Sequence, residues 1–150
     1  MIKRIYLVDD DADDLIFIKG AFERYRSNIE IKTFSNGLEL VTSLKDSPVV
    51  PIIVLMDLNM PVMSGLEALK LIRKLKYFKN LNIIIFSTSN SSQDRSECLK
   101  YGATDYLCKP CSIEEYENIA SRLYNLYADS FSKEKYTSGS VQKSPRSIRM

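Results

Sequence analysis

Three consecutive aspartates (Asp9, Asp10 and Asp11), a single Asp57, the hydroxyl pair Ser87-Thr88 and the dipeptide Lys109-Pro110 are the residues of this 150-residue chain with the most chemistry to offer. Each closes or follows a short run of branched apolar residues: Ile5-Tyr6-Leu7-Val8, Ile52-Ile53-Val54-Leu55-Met56, Ile83-Ile84-Ile85-Phe86 and Tyr106-Leu107. If these runs lie side by side and point one way, carboxylates, hydroxyls and one ammonium converge at a single edge. Two carboxylates about 4 Å apart repel by roughly 4 kcal/mol at an effective dielectric of 20, so such a cluster needs a cation. Carboxylate oxygens without imidazole or thiolate select a hard cation, and so few protein ligands suit a Mg2+ that keeps several waters and shares phosphate oxygens. The chain has no histidine. That excludes Ser-His-Asp and Cys-His catalysis, a His-ligated metal and a phosphohistidine of its own.

A further run, Ile29-Glu30-Ile31, brings the expected strands to five. Between them, apolar residues recur at helical spacing in Leu15/Ile18/Phe22/Tyr25, Leu38/Val41/Leu44, Leu66/Leu69/Ile72/Leu75, more weakly Cys98/Tyr101, and Ile113/Tyr116/Ala120/Leu123/Tyr127. The alternation predicts an α/β fold, a parallel sheet with helices on both faces. The first, third and fourth runs lack polar alternation, as strands buried on both faces should. Ligands in such folds sit at the carboxyl ends of the strands, where the reactive stretches stand.

The length suits one domain, assigned to residues 1–127, and 45% hydrophobic residues suffice for its core. That span holds 16 basic and 17 acidic residues, so charge alone makes it no polyanion binder. Residues 128–150 hold five basic, two acidic and six serine residues, which predicts the end of the last helix and a solvated basic, Ser-rich tail. No direct DNA binding is expected. No apolar run approaches the ~18 residues of a membrane span, and no signal-peptide core follows the N-terminus. With an odd number of cysteines, three, reduced thiols and a cytoplasmic location are expected.

Val8-Asp9-Asp10, then Met56-Asp57-Leu58-Asn59-Met60-Pro61 with Ser64-Gly65, then Ser87-Thr88, then the run from Gly102 to Pro110 occur in that order. Together they resemble the receiver domain of two-component response regulators, CheY-like and of the single-domain type, over roughly residues 3–127. The resemblance implies a flavodoxin-like, doubly wound five-stranded parallel sheet of order 2-1-3-4-5 with five helices. It implies that Asp57 is the phosphoacceptor, charged by a partner histidine kinase, a phosphotransfer protein or a small phosphodonor. Asp10 would bind Mg2+ directly and Asp9 would assist, often through water, with Asp57 and the backbone carbonyl of Asn59 completing the protein's share. Ser87 and Lys109 would hold phosphoryl oxygens. Phosphoryl transfer spreads charge over the equatorial oxygens, so a metal, a lysine and a hydroxyl around a carboxylate nucleophile are the groups the reaction needs.

Output in the family follows from the same geometry. By the resemblance, Ser87 is expected to move toward the phosphoryl group and Tyr106 to swing inward, reshaping the face of the fourth helix, fifth strand and fifth helix for a downstream protein. About 23 residues follow the last helix, fewer than the ~40 that an independent fold needs, so a stand-alone receiver, a monomer or weak dimer, is expected. It would catalyse only its own phosphorylation and dephosphorylation.

Rival readings remain. A phosphorylation-independent adaptor on the same fold usually lacks an acidic-pair residue, the phosphoacceptor or the lysine, and all are present here. A haloacid dehalogenase-type hydrolase wants a second Asp where this chain has Asn59, and a flavin-binding relative would not place three aspartates after the first strand. Cys108-Lys109-Pro110-Cys111 has the Cys-x-x-Cys spacing of redox sites, but not their usual place early in a β-α-β unit. Asp11 is expected to cap the first helix.

Overall fold

Alternate residues of the central strands face opposite layers of helices, which is why their sequences are apolar throughout. The computed structural model describes residues 2–47 and 49–129. In chain order these form β1 (Lys3–Val8), α1 (Ala12–Tyr25), β2 (Ile29–Phe34), α2 (Gly37–Asp46), β3 (Ile53–Met56), α3 (Gly65–Lys74), β4 (Ile83–Ser87), α4 (Ser92–Lys100), β5 (Asp105–Cys108) and α5 (Ile113–Tyr127). A single 3-10 turn, Lys76–Phe78, follows α3. The sheet order is β2-β1-β3-β4-β5 and every pairing is parallel, which is the expected flavodoxin-like order. The expected tail lies, from residue 130 onward, outside the described residues.

On one face Ile5, Leu7, Ile53, Leu55, Ile84 and Phe86 pack against Ile18 and Phe22 of α1 and Ala120 and Leu123 of α5. On the other, Tyr6, Val8, Val54, Met56, Ile83 and Ile85 meet Leu40 and Leu44 of α2, Leu69 and Ile72 of α3, and Cys98 of α4. Full burial of each such side chain is worth about 1.5–3 kcal/mol, so two complete layers hold the strand ends in register. The 3-10 turn was not foreseen. It buries Phe78, and Arg73 fixes it by donating from Nη1 to the Phe78 carbonyl (2.8 Å) and from Nε to the Gly102 carbonyl (2.9 Å).

Helix starts are set by side chains that accept orphan backbone N–H groups. Asp11 caps α1, as expected, taking the N–H groups of Asp13 and Asp14. Ser64 and Glu67 form a reciprocal capping box on α3, and Ser91 and Ser112 cap α4 and α5. The weakest periodicity in the sequence belongs to α4, and the helix buries only Cys98. Among the described residues, no helix is long and apolar enough to cross a membrane.

Candidate functional site

Strand register alone brings the reactive stretches together. Val8 pairs with Met56, so Asp9 and Asp57 leave the sheet side by side, and the Asp57 N–H donates to the Val8 carbonyl (2.8 Å). Ser87 pairs with Cys108, and the next residue, Lys109, donates its N–H to the Ser87 carbonyl (2.8 Å). All four strand ends therefore open onto one edge of the sheet.

Asp9, Asp10 and Asp57 each offer a carboxylate oxygen there, and the three atoms lie within 4.8 Å of one another. Asp9 and Asp57 are buried and Asp10 is exposed. Lys109, its side chain only 6% exposed, reaches into the cluster from the β5 side. Its Nζ lies 2.7 Å from Asp9 Oδ2, 2.8 Å from Asp14 Oδ2 and 3.4 Å from Asp57 Oδ1.

The electrostatics follow from this crowding. Burial pushes the Asp57 carboxyl up to about 6; the neighbouring Asp9 charge adds to the rise and Lys109 offsets part of it. Burial likewise raises Asp9 above the ordinary aspartate range, against the bonds it accepts from Lys109 and from the Asp11 N–H. For Lys109, burial favours the neutral amine, but the bonds to Asp14 and Asp9 and the Asp57 charge outweigh it, and the ammonium is held above the usual lysine range. Buried carboxylates whose charged forms are short of compensating positive charge, with oxygens close enough to share one ion, fit a hard divalent cation.

The loop after Asp57 is shaped around that residue. Gly65 donates its N–H to the Leu58 carbonyl (2.8 Å), and a Cβ at Gly65 would overlap the Asp57 carbonyl oxygen. Between them Met63 N–H donates to the Pro61 carbonyl across Val62, which adopts φ 66°. This is the rare positive-φ form of the γ-turn, strained for a β-branched residue. Asn59 stands exposed in the same loop.

Ser87 is fully buried, and its Oγ accepts the N–H of Ser89 (3.1 Å). Tyr106 is also buried, and its hydroxyl donates to the Ser89 carbonyl (2.9 Å). The ring is already inward, although the resemblance tied that position to phosphorylation. Arg95 of α4 donates to the Tyr106 carbonyl (2.8 Å). Cys108 and Cys111 are exposed and free; Cys98 is buried, and burial pushes its thiol up to about 11.

Asp14 was not anticipated. An aspartate in the first turn of a helix is accounted for by the positive end of the helix, which conceals a second role. Only the fold shows that the third residue of α1 faces the end of β5.

The family model of the response regulator receiver domain matches residues 5–121. The chain belongs to the response regulator receiver family. Receiver domains are signalling domains rather than classical enzymes. The chain is 30% identical over 125 residues to the sensor histidine kinase CheAY of Helicobacter pylori, covering 83% of this chain and 15% of that protein. It is 29% identical over 119 residues to a two-component response regulator of rice, Oryza sativa subsp. japonica, covering 79% of this chain and 87% of the relative. Among the relatives it matches, the receiver thus spans a small part of the kinase and most of the rice protein. The phosphorylated cyanobacterial phytochrome response regulator RcpA has the same fold, with a TM-score of 0.81 and 23% identity over 88% of this chain and 98% of that one. A response regulator in red-light signalling of R. palustris gives 0.75 and 26%, over 87% and 97%.

Proposed function

We propose that this receiver accepts a phosphoryl group on Asp57 from a histidine kinase or phosphotransfer protein, with Mg2+ held by Asp9, Asp10, Asp57 and the backbone carbonyl of Asn59. The observation that carries the reading is the placement of Asp57: a buried carboxylate with two acidic neighbours close enough to share an ion and the Lys109 ammonium 3.4 Å away. Bound Mg2+ would supply charge neutralisation for the transferring phosphoryl oxygens. The remaining work falls to the chain's own groups. An Asp57 oxygen forms the new P–O bond as the donor's bond to phosphorus breaks, its electron pair leaving with the donor. Lys109 and the Ser87 hydroxyl then hold the phosphoryl oxygens.

Ser87 Oγ accepts the Ser89 N–H and keeps its own O–H to donate to a phosphoryl oxygen, so a turn of the side chain toward that oxygen would draw on the Ser89 contact. Tyr106, bonded to that same Ser89, would carry the change to the face of α4, β5 and α5, where a downstream protein binds. Signalling by protein contact or phosphorelay belongs to the same reading and is supported by the likeness to a rice two-component response regulator of which the chain covers 87%.

Incubation with Mg2+ and acetyl phosphate followed by intact-mass measurement tests the reading. One phosphoryl group should appear on the wild type and none on Asp57→Asn. Absence of label on the wild type would overturn it in favour of a phosphorylation-independent adaptor.

A further inference from the structure

We propose that Asp14 is a positioning residue acting through Lys109: its carboxylate, 2.8 Å from Nζ, holds the ammonium on the α1 side of the site and shifts the site's preference toward the cation and away from the phosphoryl anion. The proposal rests on the assignment of Asp57 as a Mg2+-dependent phosphoacceptor.

Lys109 has three N–H donors and three carboxylates around them, those of Asp9, Asp14 and Asp57. Asp9 and Asp57 also belong to the cluster able to share a metal ion; Asp14 does not. Asp14 is therefore the carboxylate that stays with the lysine when the other two turn to a cation. It occupies one N–H that a phosphoryl oxygen on Asp57 would otherwise receive. It is also rigidly placed, at the third residue of α1 with its own N–H donated to the Asp11 cap (3.3 Å).

Its charge acts oppositely on the two ligands. A carboxylate beside the site attracts a divalent cation and opposes an incoming anion, and it also cancels part of the Lys109 charge that the anion seeks. Asp14 is 24% exposed, so solvent weakens these effects without abolishing them. Neutralising it should therefore move the two affinities in opposite directions, a signature that loosened packing or a damaged fold does not produce.

The test uses the full chain with Asp14→Asn and, as the conservative control, Asp14→Glu. Calorimetric titration gives Mg2+ affinity, and a second titration at saturating Mg2+ gives affinity for beryllofluoride, a mimic of the acyl phosphate. Asp14→Asn should weaken Mg2+ binding and tighten beryllofluoride binding, each by about three- to tenfold, a change of roughly 0.7–1.4 kcal/mol. Asp14→Glu should return both toward wild type. If wild type binds both ligands and Asp14→Asn moves neither, moves both in one direction, or reverses the two signs, the Asp14 assignment alone falls. If wild type binds neither ligand, the phosphoacceptor reading fails and this one with it.

Discussion

Lys109 Nζ stands 3.4 Å from Asp57 Oδ1 but only 2.7 Å from Asp9 Oδ2, so the residue at the centre of the site receives the weakest share of the ammonium. Asp57 is thereby left as a buried, under-compensated charge. The consequences are thermodynamic before they are chemical.

In the folded protein Asp57 binds its proton more tightly than in the unfolded chain, with a folded value of about 6. Stability of the metal-free protein therefore falls as pH rises from the ordinary aspartate range, near 4, through about 6, and the full cost persists above that window. Asp57→Asn should stabilise the metal-free protein by about 2–3 kcal/mol at pH 8 and by less than about 1 kcal/mol at pH 4.5. Urea melts at the two pH values measure this; a variant no more stable than wild type at pH 8 would refute it.

Removing the lysine should have the opposite sign. Lys109→Met leaves Asp9, Asp14 and Asp57 facing one another without their cation, and breaking a buried pair in this way costs about 3–5 kcal/mol. Saturating Mg2+ should restore part of that loss by binding the folded state. Thermal melts with and without Mg2+ supply the comparison, and equal stability of variant and wild type without Mg2+ would contradict the assignment of charge.

Val62 is 75% exposed and sits at φ 66°, so its side chain contributes little burial while its backbone bears strain. Val62→Gly should relieve about 1–2 kcal/mol of conformational strain, against roughly 0.5–1 kcal/mol of added unfolded-state entropy. A net gain of about 0.5–1 kcal/mol is the expected difference in unfolding free energy. A loss would show that Val62 makes a contact worth more than its strain.

Gly65 should tolerate no side chain. In Gly65→Ala the new Cβ meets the Asp57 carbonyl oxygen, a backbone atom that cannot yield as a flexible side chain would. Destabilisation of about 1–3 kcal/mol is expected, together with displaced amide resonances at Asp57 and Leu58. Unshifted resonances there would exclude the contact.

The fold was legible because both sheet faces are buried. Ile53-Val54-Leu55-Met56 and Ile83-Ile84-Ile85-Phe86 have no polar break, and that pattern suits a parallel sheet between two helical layers. Most of the candidate site was legible because parallel strands end at one edge, so Asp9, Asp57, Ser87 and Lys109 needed no long-range information beyond register. Asp14 was hidden because its contact with Lys109 spans 95 positions and depends on how α1 lies across the sheet. The inward Tyr106 ring was beyond reach for a similar reason, since its partner is a loop carbonyl 17 residues away. The 3-10 turn at Lys76–Phe78 carries no periodic signal; it depends on the reach of Arg73 and a place in the core for Phe78.

Ser89 has no idle polar atom. Its N–H is given to Ser87, its hydroxyl donates to Asp94 (2.7 Å) and accepts the Ser91 N–H (3.2 Å), and its carbonyl receives the Tyr106 hydroxyl. A small drift of this one residue would strain several bonds of different direction at once, so the junction between β4 and α4 resists gradual adjustment. On the proposed reading, a Ser87 drawn toward a phosphoryl group would meet a latch rather than a spring: the catch would stay closed, or the tyrosine and the start of α4 would be freed together.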